Sequence, residues 1–265
     1  MITVSQLEDS LEEQTAVILA AEKWAPSYKK NKDALALLIK FEAKLERVLR
    51  KHFRELANER MSSYINWELY SAQQIKAYSF EVIVDVQEFE DDEVEIMMAT
   101  LNDPLAYSIS LGAQTAEKQY KIELGLNQYS NAITKAAESY TAKLVKGLSD
   151  STKTRISQSI ATSIRLGEDL EAAKKRLSKV VNDPKRATTI ARTESVRSFS
   201  RGITVFGEES KATAKFWEIS SDPCAICAEN EGAKVGLDEE FPSGDMEPPA
   251  HPNCRCGVSL EHDYS

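Results

Sequence analysis

The sequence predicts a mainly α-helical protein, with an elongated multi-helix body over residues 1–200 and a small α+β module over residues 201–265. Three observations lead to this fold class. The chain of 265 residues holds only 10 glycines and 8 prolines, and none of the glycines precedes Gly112. Half of these chain breakers lie between Pro223 and Gly257, where a turn-rich piece is expected. The hydrophobic share of 42% and the charged share of 28% are those of a globular protein.

The N-terminal helices are predicted over residues 5–64. Ser5 and Glu8 match a capping box, so a helix should begin there and run to about Trp24, before Pro26. A second helix is expected from about residue 31 to 64, because its apolar positions alternate at spacings of three and four. The seam consists of Leu38, Phe41, Leu45, Val48 and His52. We interpret His52 as a packed histidine and not as a ligand.

The central helices are predicted over residues 67–200, and their first part is the least regular. The β-branched run from Phe80 to Val86 resembles a strand, but its surroundings favour a helix over 67–90. The acidic run from Glu88 to Glu95 is expected to begin a short helix, since the macrodipole favours negative charge there. It lacks the glycine and the spaced ligands of a calcium loop.

Further helices are marked by their end signals. Gly147 and Gly167 stand where C-terminal caps are expected, and Asp183-Pro184 is a typical helix start. The predicted helices cover 104–119, 127–146, 150–166, 168–181 and 184–200. After them, Ala214 to Ile219 alternates as a strand does.

Charge is distributed unevenly along the chain. The net charge is −9, but residues 1–140 have a balance of −8, residues 141–201 of +8 and residues 202–265 of −9. A chain that is acidic overall is not a typical nucleic-acid binder. The basic segment 141–201 is therefore either a solvated helix face or a docking surface for an acidic partner or DNA.

No membrane or export signal is recognisable. No uncharged apolar run approaches the roughly 18 residues that span a bilayer. The first nine residues are acidic where a signal peptide would be basic. We therefore expect a protein made and kept in a reducing cytosol.

The strongest chemical signal is a Cys-x-x-Cys pair, Cys224 and Cys227, followed after 23 residues by His251, Cys254 and Cys256. In a reducing compartment such a cluster favours metal ligands over disulfides or free thiols. Two turns that each bring two ligands can complete a tetrahedron around Zn²⁺. Five candidates compete for four positions, and only the Cys-x-x-Cys pair is secure.

Catalysis at such a site is poorly supported. A zinc site closed by three or four protein thiolates is structural, whereas catalysis needs an open position and usually a base. Asp222 and Glu229 flank the pair, and we interpret them as exposed loop acids. On the preceding helix, Arg192 and Glu194 are two residues apart, so they cannot pair along the helix. They are surface charges or partners of another helix.

These elements together resemble the phage Mu F-like head morphogenesis family, the minor head or minor capsid proteins of tailed phages. The resemblance rests on Ile190-Ala191-Arg192-Thr193-Glu194, Trp217, the Cys-x-x-Cys pair, Gly232 and the run Pro248 to Cys256. It is dense in motifs over 185–258 and looser over 35–184. It implies that Cys224, Cys227, His251, Cys254 and Cys256 form the metal site. It also implies that Arg192, Thr193 and Glu194 are a family signature, which we expect to support the junction between body and module.

The resemblance further implies a structural virion component that acts by binding and not as an enzyme. Its expected partner is the phage portal protein, with scaffold protein, major capsid protein or packaged DNA at segment 141–201 as further candidates. It implies a place in the capsid interior or at the portal vertex, after assembly in the host cytoplasm, and an influence on DNA packaging or ejection. The alternatives are a metal-dependent nuclease and a zinc-ribbon DNA-binding protein.

Overall fold

The structure, a computed structural model, describes residues 24–72 and 85–263. The helix predicted from Ser5 and most of the run from Phe80 to Val86 lie outside the described residues. Among the described helices, none combines the length and the apolar character needed to cross a membrane.

Helices dominate the described chain, which confirms the mainly α prediction. After a short α1 (Pro26–Lys30), helix α2 (Lys32–Glu55) continues into a π-helical turn (Leu56–Arg60). The others are α3 (Trp67–Ala72), α4 (Val86–Tyr120), α5 (Leu126–Leu166), α6 (Leu170–Val181), α7 (Pro184–Glu209) and the single turn α8 (Ala225–Ala228).

A three-stranded antiparallel sheet follows α7, as the alternation after residue 213 predicts. It consists of β1 (Ala214–Glu218), β2 (Lys234–Val235) and β3 (Gly257–Glu261) in the order β2-β1-β3. Lys215 lies opposite Val235 on one side and Leu260 on the other. The central strand β1 therefore joins β2 and β3, which are separated by more than 20 residues in the sequence.

Local end signals are confirmed at three places. Asp169 caps α6, since its carboxylate accepts from the backbone N–H of Ala172 at 2.8 Å. Asp183 accepts from the N–H of Lys185 at 3.0 Å at the start of α7. Gly167 ends α5 with φ 64°. Each of these signals needs only its own neighbours in the chain.

Three predicted helix ends are wrong. The short helix after Glu88 and the helix 104–119 are one helix, α4, which continues through Pro104. A proline inside a helix removes a hydrogen bond, but Leu101 and Leu105 are both buried on the same face across it, and packing outweighs that cost. Gly147 does not cap a helix but lies inside α5. α7 passes residue 200 and ends at Glu209, because Phe206 in its last turns is fully buried.

The chain forms two compact units, each built from several segments. Unit 1 combines the residues up to Lys44 with Pro104–Ala137 and Thr189 onward, and unit 2 combines Leu45–Asp103 with Glu138–Thr188. The boundary near residue 200 stays a prediction.

In unit 1, α4 and α7 approach each other closely at two glycines. A Cβ added to Gly112 would lie 2.0 Å from the carbonyl oxygen of Phe199. A Cβ added to Gly202 would lie 1.9 Å from the carbonyl oxygen of Ile109. Glycine at these two positions is therefore what allows the backbones to touch.

In unit 2, a buried carboxylate organises the end of α2. Glu93 is fully buried, and the Arg60 guanidinium donates to its two oxygens at 2.6 and 3.1 Å. His52 is 5% exposed, with its Nε2 3.4 Å from the same carboxylate. Burial, and next the charge of Arg60, lower the pKa of His52 to about 4, so its ring is neutral at pH 7. The interpretation of His52 as a packed residue is confirmed.

Candidate metal centre

The first two candidate ligands stand on the one-turn helix α8. Cys224 is its N-cap residue, and the carbonyl oxygen of Cys224 accepts from the N–H of Ala228 at 2.9 Å. Cys227 lies three residues further on, so both thiols belong to the same turn. Cys224 is exposed, whereas Cys227 is buried.

The other three candidates lie on the ligand loop, residues 251–256, immediately before β3. Asn253 has φ 62°, which turns the backbone back on itself. The N–H of Cys254 donates to the carbonyl oxygen of His251 at 3.2 Å, and the N–H of Cys256 donates to Sγ of Cys254 at 3.4 Å. Backbone N–H groups directed at a sulfur stabilise it as a thiolate.

The structure brings all five candidates into two overlapping groups. Cys224, Cys227 and His251 form one group, and Cys227, Cys254 and Cys256 form the other, with ligand atoms inside each group within 4.8 Å. Cys227 belongs to both groups and is the centre of the cluster. Within the described residues, these two groups do not show which four of the five candidates would bind a single ion.

The distances suit a tetrahedral metal and not a disulfide. The Sγ atoms of Cys227 and Cys254 are 3.6 Å apart, and Nε2 of His251 is 3.2 Å from Sγ of Cys227. Zinc–sulfur bonds of about 2.3 Å in a tetrahedron give sulfur–sulfur edges of about 3.8 Å. A disulfide would need about 2.05 Å. All four thiols are free, and the donor set of thiols and one imidazole fits Zn²⁺.

The thiols of this cluster differ in pKa because they are buried and lie close to one another. Burial raises the pKa of the Cys227 thiol to about 12. The Cys254 thiol donates to Cys256, which raises the pKa of Cys254 and lowers the pKa of Cys256 to about 5. A divalent cation would displace the remaining thiol protons, because thiolates are the form that binds metal.

His251 has its ring oriented by its neighbour. Its Nδ1 lies 2.9 Å from the carbonyl oxygen of Pro252, which accepts a hydrogen bond when Nδ1 carries the proton. That tautomer leaves Nε2 free as an electron-pair donor toward the cluster.

A small core lies beneath the cluster. The rings of Trp217 and Phe241 meet edge to face at 5.1 Å between centroids, and three of the cysteines pack against them. The Asn230 amide, fully buried, accepts from the N–H of Ser243 and donates to its hydroxyl, both at 2.9 Å. A core with so few apolar side chains contributes little to the folding free energy, so a bound metal would add to the stability of this region.

The signature on α7 contacts the ligand loop. Thr193 Oγ1 accepts from the N–H of Asn253 at 3.1 Å, and the carbonyl oxygen of Arg192 accepts from the Arg255 guanidinium at 3.3 Å. The Glu194 carboxylate instead lies 3.6 Å from Nε of Arg197, one turn along the same helix. These contacts of Arg192 and Glu194 lie on different elements, in line with their spacing of two residues along the helix.

Sequence reasoning missed Glu42 on α2. Its carboxylate accepts from Arg255 at 2.9 and 3.1 Å, and Nε of Arg192 is 3.7 Å away. Arg255 is only 6% exposed, so this carboxylate compensates a buried charge beside two candidate ligands. A separation of 213 residues between Glu42 and Arg255 leaves no local signal. Asp222 and Glu229 are exposed, in line with their interpretation as loop acids.

Comparison with known proteins identifies one family. Nothing matches the chain among the curated proteins or among the solved structures. The family described as Phage Mu protein F like protein matches residues 154–259. This range contains all five candidate ligands and the signature Arg192-Thr193-Glu194. Residues 154–259 are therefore similar to the family described as Phage Mu protein F like protein.

Proposed function

We propose that the chain is a structural minor head protein of a tailed phage, which takes part in procapsid and head assembly by binding and not by turnover. The family match over residues 154–259 carries this proposal, because it includes the ligand cluster and the contacts that hold it. The protein would be assembled in the host cytoplasm and end in the virion, in the capsid interior or at the portal vertex.

The proposed metal is one structural Zn²⁺ bound by four of Cys224, Cys227, His251, Cys254 and Cys256. The two ligand groups and their tetrahedral distances support it. Elemental analysis of protein purified without added metal should find one zinc per chain, with thiols protected from alkylation until the protein is denatured. A metal-free protein with freely alkylated thiols would contradict the proposal.

The binding surface is proposed in unit 2, where cations remain without partners. Residues 141–201 hold 14 basic side chains. Seven of them form ion pairs with acids and Arg186 is buried. Six are exposed and have no ion pair within the described residues: Lys143, Lys146, Arg165, Lys175, Lys179 and Lys185. We call these six the basic set.

The acids of the same segment leave the basic set uncompensated. Five of the six acids pair with cations, and Asp169 caps α6. These five pairs leave nine cations of the segment, and six of the nine are the exposed side chains of the basic set. We propose that they dock on an acidic surface of the portal protein, with scaffold protein, major capsid protein and packaged DNA as rival partners.

A salt-dependent pull-down with the portal protein tests this docking. Contacts between exposed charges are screened within about 8 Å at physiological ionic strength, so the yield should fall steeply as salt is raised. Changing Lys143, Lys146, Lys175 and Lys179 to Gln should abolish capture at moderate salt. The matched control changes four exposed lysines of unit 1, namely Lys29, Lys30, Lys44 and Lys121. Capture that ignores both ionic strength and the first variant would overturn the charge-driven mechanism.

The same proteins separate the rivals. A gel shift of duplex DNA at moderate salt that is lost in the unit 2 variant would assign the basic set to DNA instead of the portal. Plasmid nicking that requires metal and is lost on Cys224→Ser and His251→Ala would favour the nuclease.

A further inference from the structure

The ligand loop has a second face that contacts the start of the described chain. The backbone N–H of Ala25 donates to the carbonyl oxygen of Arg255 at 3.0 Å. The hydroxyl of Tyr28 donates to the carbonyl oxygen of Cys256 at 3.3 Å. These acceptors belong to consecutive residues, and one of them is a candidate ligand. The segment 24–28, which we call the N-terminal segment, is therefore bonded directly to the backbone that carries the ligands.

Side chains reinforce this contact. The Arg255 guanidinium lies over the ring of Trp24, 4.1 Å from its centroid, while it also donates to Glu42. Trp24 is 1% exposed and Tyr28 4%. A desolvated cation over a tryptophan is among the stronger aromatic contacts. Arg255 is thus held by an aromatic face and by a carboxylate at once, which fixes the loop residue between Cys254 and Cys256.

Close packing continues where the loop enters β3. A Cβ at Gly257 would lie 2.7 Å from Ser27 Oγ and 3.0 Å from the ring of Tyr28. The N–H of Ser27 donates to the Glu218 carboxylate of the neighbouring strand at 2.7 Å. The N-terminal segment therefore packs closely against the backbone on the C-terminal side of the ligands.

We infer that metal binding and docking of the N-terminal segment are coupled, with Trp24 and Tyr28 as positioning residues that act through Arg255 and Cys256. A loop that is already fixed on one face loses less conformational entropy when its other face binds a metal. By linkage, the metal tightens docking by the same factor by which docking tightens the metal. This inference rests on the proposed zinc centre and not on any head partner.

Chelator competition on the full chain measures the first half of the coupling. Trp24→Leu should weaken zinc affinity between about 10- and 100-fold, as loss of outer-shell partners of metal ligands does. Tyr28→Phe removes the hydrogen bond to the carbonyl oxygen of Cys256 and should weaken the zinc affinity about 5-fold. Tyr107→Phe is the matched control, since Tyr107 lies in the same unit, is 51% exposed and has its ring beside that of Phe41. It should leave the affinity unchanged.

Limited tryptic digestion measures the reciprocal half. Lys29 and Lys30 are exposed immediately after the N-terminal segment. Cleavage after them should be slow in zinc-loaded wild type, faster after chelation, and fast in loaded Trp24→Leu. A purely structural role of Trp24 would change cleavage but not zinc affinity.

The outcomes separate two failures. Equal zinc affinity in wild type and both variants, or cleavage after Lys29 and Lys30 that does not depend on zinc, overturns the coupling and leaves the zinc centre intact. Wild-type protein that takes up no stoichiometric zinc removes the centre, and the inference with it.

Discussion

Replacing Gly202 with alanine should destabilise unit 1, although the same change inside a helix normally stabilises. The new Cβ would lie 1.9 Å from the carbonyl oxygen of Ile109 and 2.9 Å from the N–H nitrogen of Ala113. Ordinary contact begins near 3.4 Å. Both neighbouring atoms belong to the backbone of α4, so no side chain can rotate away. The two helices must separate by more than an ångström at this crossing.

The magnitude follows from two opposed effects. Overpacking a close-packed site costs about 1–3 kcal/mol, and a backbone clash belongs at the upper end of that range. Alanine gains about 1 kcal/mol over glycine in a helix interior. We therefore expect a net loss of about 2 kcal/mol in the free energy of unfolding. Gly112→Ala should behave alike, since its Cβ would lie 2.0 Å from the carbonyl oxygen of Phe199.

Gly147→Ala is the matched control. Gly147 also lies inside a helix, but nothing stands within 4 Å of its added Cβ. It should stabilise by about 0.5–1 kcal/mol. Urea unfolding followed by circular dichroism gives the midpoint and slope for each variant. A Gly202→Ala protein as stable as wild type, or a destabilised Gly147→Ala, would refute the reasoning from the helix crossing.

Three further predictions concern buried charge and the metal. Stability of unit 2 should fall as the pH drops from about 6.5 to about 4, because the neutral His52 gains a proton on unfolding there. The loss attributable to this group is about 3 kcal/mol, and in His52→Gln the pH dependence of the urea midpoint should be correspondingly smaller. Arg60→Met removes the guanidinium that pairs with the fully buried Glu93 and should cost about 3–5 kcal/mol in unfolding free energy, whereas Lys51→Met, which breaks an exposed pair, should cost less than about 1. An equal cost for both would contradict the assigned burial of the pair. Cys227→Ser removes the ligand common to both groups and should abolish zinc retention by elemental analysis; retention at one zinc per chain would exclude Cys227 as a ligand.

Much of the fold follows from signals that act within a few residues. The caps at Asp169, Asp183 and Gly167 are such signals, and the structure has each of them. The strand at 214–218 follows from alternation. The ligand cluster was also recognisable, because a Cys-x-x-Cys pair on one turn is a local pattern.

Long-range packing determined the helix ends and the charge pairs that these local patterns did not predict. Pro104 does not end α4 and Gly147 does not end α5, because burial along a whole helix outweighs a break of about 1–3 kcal/mol at one residue. Likewise, the net charge of +8 over residues 141–201 follows from the sequence. Which of its cations stay unpaired depends on the acids that folding brings near them.

The sequence by itself determined that the protein is mainly helical, that the candidate ligands are cysteines and a histidine, and that charge is distributed unevenly along the chain. Only the tertiary structure decided that Glu42 and the N-terminal segment support the ligand loop from the other end of the chain. The physical reason is that hydrogen bonds, cation–π contacts and burial depend on distance in space. No pattern of neighbouring residues encodes a contact between positions more than 200 residues apart.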